Sequence, residues 1–210
     1  IGRPFVVWSV VATPEFSTQP KEWCFPVVGC VAYRGYFSEK SARAFAATLA
    51  SQGYDVTVGG VPAYSTLGRF SDPLLSSMLR YGDTETAATL FHELAHQVIY
   101  VKNDTAFNES FAVAVEQEGL SRWLSAHRRS AEFDNYLQRR ERLQGIVTRF
   151  ADGRQHLSAL YAEPLTDAEK RQRKQQLLAD LTTEVRVYQT GLQLRTGYDA
   201  WLDAGLNNAH

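Results

Sequence analysis

The chain has 210 residues, 44% of them hydrophobic and 21% charged, with a formal net charge of -1. That length admits one domain with a sizeable core, or one domain plus an appendage. The near-neutral balance gives no electrostatic footprint for nucleic acid or an anionic membrane surface, and no apolar run approaches the roughly 20 residues of a spanning helix.

The first 70 residues carry most of the strand signals. Phe5 to Thr13 is β-branched and aromatic, and Pro14 ends it. A loop rich in Pro, Trp and Cys runs from Glu15 to about Gly29, and Val31 to Phe37 is a second candidate strand. Ser38 is placed to cap an Ala-rich helix from about Glu39 to Gln52, with Gly53 where a C-terminal cap belongs. Tyr54 to Val58 alternates as a strand, and Gly59 and Gly60 are expected to break it. Val61 to Thr66 is a possible edge segment, because Pro62 cannot donate to a ladder.

From residue 72 onward helical signals dominate. Asp72-Pro73 opens a short helix to about Tyr81. Asp83 or Thr84 caps the next, which runs to about Val101. Asn103 and Asp104 make a turn, and a further helix begins near Thr105, with a break expected at Gly119. A long charged helix spans about Ala131 to Tyr161. After Pro164, the capping box Thr166 to Glu169 opens a last long helix to about Leu194. Strands first and helices after give an α+β class, with a boundary expected between residues 129 and 130.

The chemistry sits in Phe91-His92-Glu93-Leu94-Ala95-His96, an HExxH pattern. Two His residues four apart on a helix lie one turn above the other, so both imidazoles can reach one metal ion. Glu93 lies beside them, able to act on the metal's water as general base. Ala87, Leu90, Phe91, Leu94, Ala95 and Val98 recur at helical spacing and form an apolar face, with His92 and His96 at its border. A zinc site of this kind needs a third protein ligand and one open position. Glu109, in Asn108-Glu109-Ser110-Phe111-Ala112, follows His96 with twelve residues between and stands in the first turn of the next helix. The expected site is therefore Zn2+ on His92, His96 and Glu109, acting on a peptide substrate. Asn108 could orient a ligand or cap its helix.

HELAHQ followed by NESFA resembles the gluzincin peptidases, and is similar to the HELAHQ and NEGFA motifs of the aminopeptidase N group. The chain more broadly resembles a family of predicted bacterial aminopeptidases. The matching stretches are Arg3 to Phe16, Trp23 to Tyr36, Gly53 to Gly68, His92 to Gln97, Asn108 to Ala112 and, more thinly, Leu206 to Ala209. The resemblance covers most of residues 3 to 119 and implies a role for Glu109 as third ligand; the expected layout is a zincin-like core over residues 1–129 followed by a charged helical hairpin over 130–210. It also implies an export or lipoprotein signal upstream, hence a possible lipid anchor, a continuation downstream, and a place in the bacterial cell envelope on the periplasmic side.

Cys24 and Cys30 match no zinc knuckle or redox motif. They read equally as two buried thiols or a short-loop disulfide, and the envelope location implied by the resemblance favours the disulfide. An aminopeptidase also needs an acid for the substrate's free amine. The strand that would supply it, Gly60 to Thr66, contains no carboxylate, so exo and endo action are both compatible with these residues. Tyr64, Tyr161, Tyr188 and Tyr198 read as interfacial or core aromatics, with a role as oxyanion donor as the alternative. His127, His156 and His210 read as surface or helix-end residues. The alternatives to a peptidase are a non-catalytic zinc-containing interaction protein and a metal-free interaction module built on the hairpin.

Overall fold

In the computed structural model, residues 5–25, 29–61, 82–102 and 104–210 are described. The class is α+β. The chain divides into two compact units, one of Ile1–Val6 with Val61–Glu141, the other of Val7–Gly60 with Arg142–His210. The strands thus share a unit with most of the helical hairpin, and the division falls near Glu141.

The second unit is built on a three-stranded sheet of order β4-β1-β5, from β1 (Val7–Pro14), β4 (Arg34–Tyr36) and β5 (Tyr54–Val61). β1 and β4 are antiparallel, with Trp8 opposite Tyr36 and Val10 opposite Arg34. Side chains alternate across a strand, and here each face has its own partner. Val10 and Ala12, with Tyr54, Val56 and Val58, pack on Ala42, Ala46 and Leu49 of α1 (Glu39–Ser51). The alternate positions Ser9, Val11, Thr13, Thr57 and Gly59 line a cavity of about 550 Å³ closed by the hairpin. Ser38 Oγ caps α1 as expected, and Gly53 adopts φ 85° just past its end, a conformation L side chains rarely take.

Three differences from expectation lie here. A small hairpin, β2 (Trp23–Phe25) with β3 (Gly29–Val31), begins inside the expected 15–29 loop and ends beyond it, and Cys24 and Cys30 face each other across it in a disulfide. Strands of three residues leave no readable alternation. The expected strand over 31–37 is divided between β3 and β4. β5 also runs through Gly59 and Gly60 instead of stopping at Val58.

The hairpin comprises α4 (Ala131–Ala162) and α5 (Asp167–Gly191), and a short α6 (Asp199–Ala204) follows. Thr166 and Glu169 form the reciprocal capping box. Ile146, Leu181, Val185 and Leu202 make the core of this part. Lys174 is buried and paired with Asp55 at 2.6 Å. Asn207 and Asn208 lace the end of the chain to the sheet. Asn207 Nδ2 donates to the Val56 carbonyl at 3.1 Å, and Asn208 Nδ2 donates to the Glu15 carbonyl at 2.8 Å.

His127 and His156 are exposed, as expected, but His210 is partly buried and hydrogen-bonded through both ring nitrogens. Its Nδ1 accepts from the Asn207 N–H at 3.1 Å, so the proton of the neutral ring is on Nε2, which donates to Thr57 Oγ1 at 3.0 Å. Burial lowers its pKa below the ordinary 6.5. The unfolded chain therefore takes up a proton at His210 before the folded chain does. The contribution to stability is full above pH 6.5 and is lost as pH falls through that value toward the folded pKa. Thermal unfolding followed as pH is lowered should show this loss, and His210→Gln should flatten the profile; an unchanged profile would contradict the assignment.

The first unit is dominated by α2 (Asp83–Val98) and α3 (Thr105–Ala126). Gly82, at φ 94°, precedes α2 without a side-chain cap, so neither Asp83 nor Thr84 is the N-cap. Asp83 instead binds Arg129 through two hydrogen bonds, at 2.6 and 3.0 Å. α2 ends at Val98, short of the expected Val101, and α3 passes Gly119 without a break. A Cβ at Gly119 would lie 2.7 Å from the Phe91 ring, so the glycine serves close packing of the two helices. Ala88, Leu120, Leu124 and Tyr136 form this unit's core. The apolar face read on α2 is only partly used: Ala88 and Ala95 are buried, whereas Leu94 is 51% and Val98 78% exposed. The expected edge segment beyond Val61 and the helix from Asp72 to Tyr81 lie outside the described residues.

Candidate metal site

The site is assembled by α2 and α3. Asp104 Oδ1 accepts from the Phe107 N–H at 3.0 Å and so caps α3. Asn108, 2% exposed, uses its whole amide on the connecting loop: its Oδ1 accepts from the Val101 N–H and its Nδ2 donates to the Val101 carbonyl, both at 2.8 Å. Asn108 is thus neither a helix cap nor a direct support for a ligand. It ties Val101 of the connecting loop to the start of α3, next to Glu109, which faces the His pair.

One ligand atom from each of His92, His96 and Glu109 lies within 4.8 Å of the others. His92 Nε2 is 3.3 Å from Glu109 Oε2, and His96 Nε2 is 3.6 Å from Glu109 Oε1. Both distances exceed an ordinary N–H···O hydrogen bond. Each imidazole faces a different oxygen of the Glu109 carboxylate, and the three groups lie close enough to share one ion. The donor set, two imidazole nitrogens and one carboxylate oxygen, also fits zinc. The imidazoles lie edge to face with centroids 5.0 Å apart. His96 is 8% exposed, whereas the Glu109 side chain is 55% exposed, so the three groups grade from interior to solvent. Glu93 is half-buried on α2, and its charge acts on His92.

Sequence reasoning missed the groups behind His92. Its Nδ1 contacts Glu116 Oε2 at 2.9 Å. Glu116, 5% exposed, accepts on its other oxygen from Tyr136 and Arg140 of α4. The hydrogen bond to Glu116 raises the His92 pKa against burial, with the charges of Glu109 and Glu93 adding. Burial alone would raise Glu116. The hydrogen bonds from His92 and Tyr136 and the charge of Arg140 outweigh it and hold this carboxylate below its usual range. Tyr136 is pushed up to about 12 by burial and by Glu116. His96 has no such support: its buried Nδ1 finds no hydrogen-bond partner among the described residues. A signal for Glu116 existed, a charged residue seven positions after Glu109 and directly after the apolar run Phe111 to Val115.

Of the tyrosines considered as oxyanion donors, three lie in the second unit with partners of their own. Tyr161 donates to Asn208 Oδ1 at 2.7 Å, Tyr188 donates to the Arg142 carbonyl at 3.2 Å, and Tyr198 packs on Phe150 and Trp201. Tyr64 lies outside the described residues.

His92, His96 and Glu109 thus form a group of the kind that could hold a metal ion, presented by two successive helices. A family model described as "Putative aminopeptidase" matches residues 1–210, and the chain belongs to that family. This membership supports a peptidase function. Comparison with curated proteins and with solved structures gives no match.

Proposed function

We propose that this chain is a zinc-dependent peptidase of the gluzincin type, with His92, His96 and Glu109 as ligands and Glu93 as general base. The observation that carries the reading is the convergence of three ligand atoms within 4.8 Å, from an HExxH helix and the helix that follows it. Bound zinc would supply a Lewis acid that polarises the scissile carbonyl and lets water lose a proton near neutral pH. Glu93 accepts that proton and returns it to the leaving amine. His92 and His96, as neutral ligands, leave the site net positive, while Glu109 offsets part of that charge.

Family membership favours aminopeptidase action. The lack of a carboxylate in Gly60 to Thr66 keeps an endopeptidase as the second reading. The Cys24–Cys30 disulfide supports an oxidising compartment. With the resemblance, it leads us to place the protein on the periplasmic side of a bacterial envelope, with a possible lipid anchor upstream.

The test is zinc content together with hydrolysis of an unbiased peptide mixture. The protein should hold one zinc per chain, lose cleavage on removal of the metal by a chelator, and regain it on addition of zinc. The new ends of the fragments then separate exo from endo action. A protein that binds no zinc would sink the reading.

A further inference from the structure

Among the described residues, Glu116 stands out as a buried carboxylate with its two oxygens assigned to different elements. Oε1 receives both donors from α4, the Tyr136 hydroxyl and an Arg140 guanidinium N–H. Oε2 faces a single group, His92 Nδ1, at 2.9 Å. A helix-to-helix staple would need only the first half of this arrangement. The second half acts on the orientation of one imidazole, whose other nitrogen points at Glu109.

We propose that Glu116 is a positioning residue for the metal site: it accepts the Nδ1–H of His92 and thereby commits the Nε2 lone pair to the point shared with His96 and Glu109, while Tyr136 and Arg140 keep the carboxylate from turning away. This deepens the zinc-site reading and rests on it. A neutral imidazole has one N–H and one lone pair, and which nitrogen carries the proton is set by what the other ring nitrogen meets. A carboxylate at Nδ1 can only accept, so it selects the Nδ1–H form. The two ligands are therefore held unequally. His92 is fixed from behind by a charged acceptor, and His96 has no equivalent among the described residues. Loss of Glu116 should release His92 alone.

Glu116→Gln is the informative change, because it keeps the shape and leaves one accepting oxygen where there were two. That oxygen can serve the α4 donors or His92 but not both sets, and the amide N–H groups then meet a donor on the other side. Two readouts are needed. Zinc affinity, from competition with a chelator, should fall about 10- to 100-fold. Ring-nitrogen NMR of the metal-free protein at alkaline pH should show His92 as the Nδ1–H tautomer in the wild type and a loss of that preference in the variant. Tyr136→Phe, which leaves Glu116 and His92 in place, should lower zinc affinity about two- to tenfold. It decides the matter if Glu116→Gln does not fold. Unchanged affinity with an unchanged His92 tautomer in a folded Glu116→Gln overturns the proposal, as does wild-type affinity in Tyr136→Phe when that variant must decide. A wild type that binds no zinc would remove the zinc-site reading instead, and the tautomer measurement on the metal-free chain would then decide the role of Glu116.

Discussion

Glu93→Gln should retain one zinc per chain and lose peptide hydrolysis by about 10²- to 10⁴-fold, the range that a positioned general base contributes. The expectation follows from the division of labour on α2. His92 and His96 direct their Nε2 atoms toward Glu109, with contacts of 3.3 and 3.6 Å. Glu93 is not among the atoms that converge there. Its removal therefore leaves the proposed ligands intact. Glutamine keeps the size of the side chain but cannot take a proton near neutral pH, so water would have to be activated without a base. Metal analysis and a peptide-cleavage assay on the same preparation check this. Equal turnover by the two proteins would show that Glu93 is not the base. Loss of both metal and turnover would place Glu93 among the groups that hold the ion.

Asn108→Ala should destabilise the fold by about 2 kcal/mol, the order of cost of leaving two backbone groups without their partner when water can reach part of the site. Both Val101 groups lose a 2.8 Å hydrogen bond, and Val101 itself is 43% exposed, so solvent offsets some of the loss. The effect should reach the metal site, because this tie holds the start of α3 and Glu109 is the next residue. Zinc affinity should fall about tenfold in the folded variant, as for other groups that support ligands indirectly. Chemical denaturation and chelator competition measure the two effects. A stability loss with unchanged zinc affinity would confine Asn108 to holding the loop.

The parts of this molecule that were legible in sequence are those encoded within one or two helical turns. His92 and His96 need only the helical repeat to face the same way, and Glu109 needs only a turn between two helices. The capping residues Ser38 and Thr166 are equally local. Glu116, Tyr136 and Arg140 were not legible together, because their meeting depends on how α4 packs against α2 and α3. His210 was misread for a related reason: its Nε2 pairs with Thr57, 153 positions away. The misplaced stop at Gly59 and break at Gly119 share another cause. Glycine weakens strands and helices on average, yet β5 continues through Gly59 and Gly60, and at Gly119 close packing with Phe91 outweighs the local preference.

The contact between Gly119 and Phe91 has a consequence for the tolerances of the site. Phe91 immediately precedes His92, and Gly119 lies three residues after Glu116, so the flat ring works as a shim between the two helix backbones that bear these groups. The approach of α2 to α3 beside the His92–Glu116 pair is thus held by an aromatic ring seated on a glycine, at a place that takes no part in the chemistry.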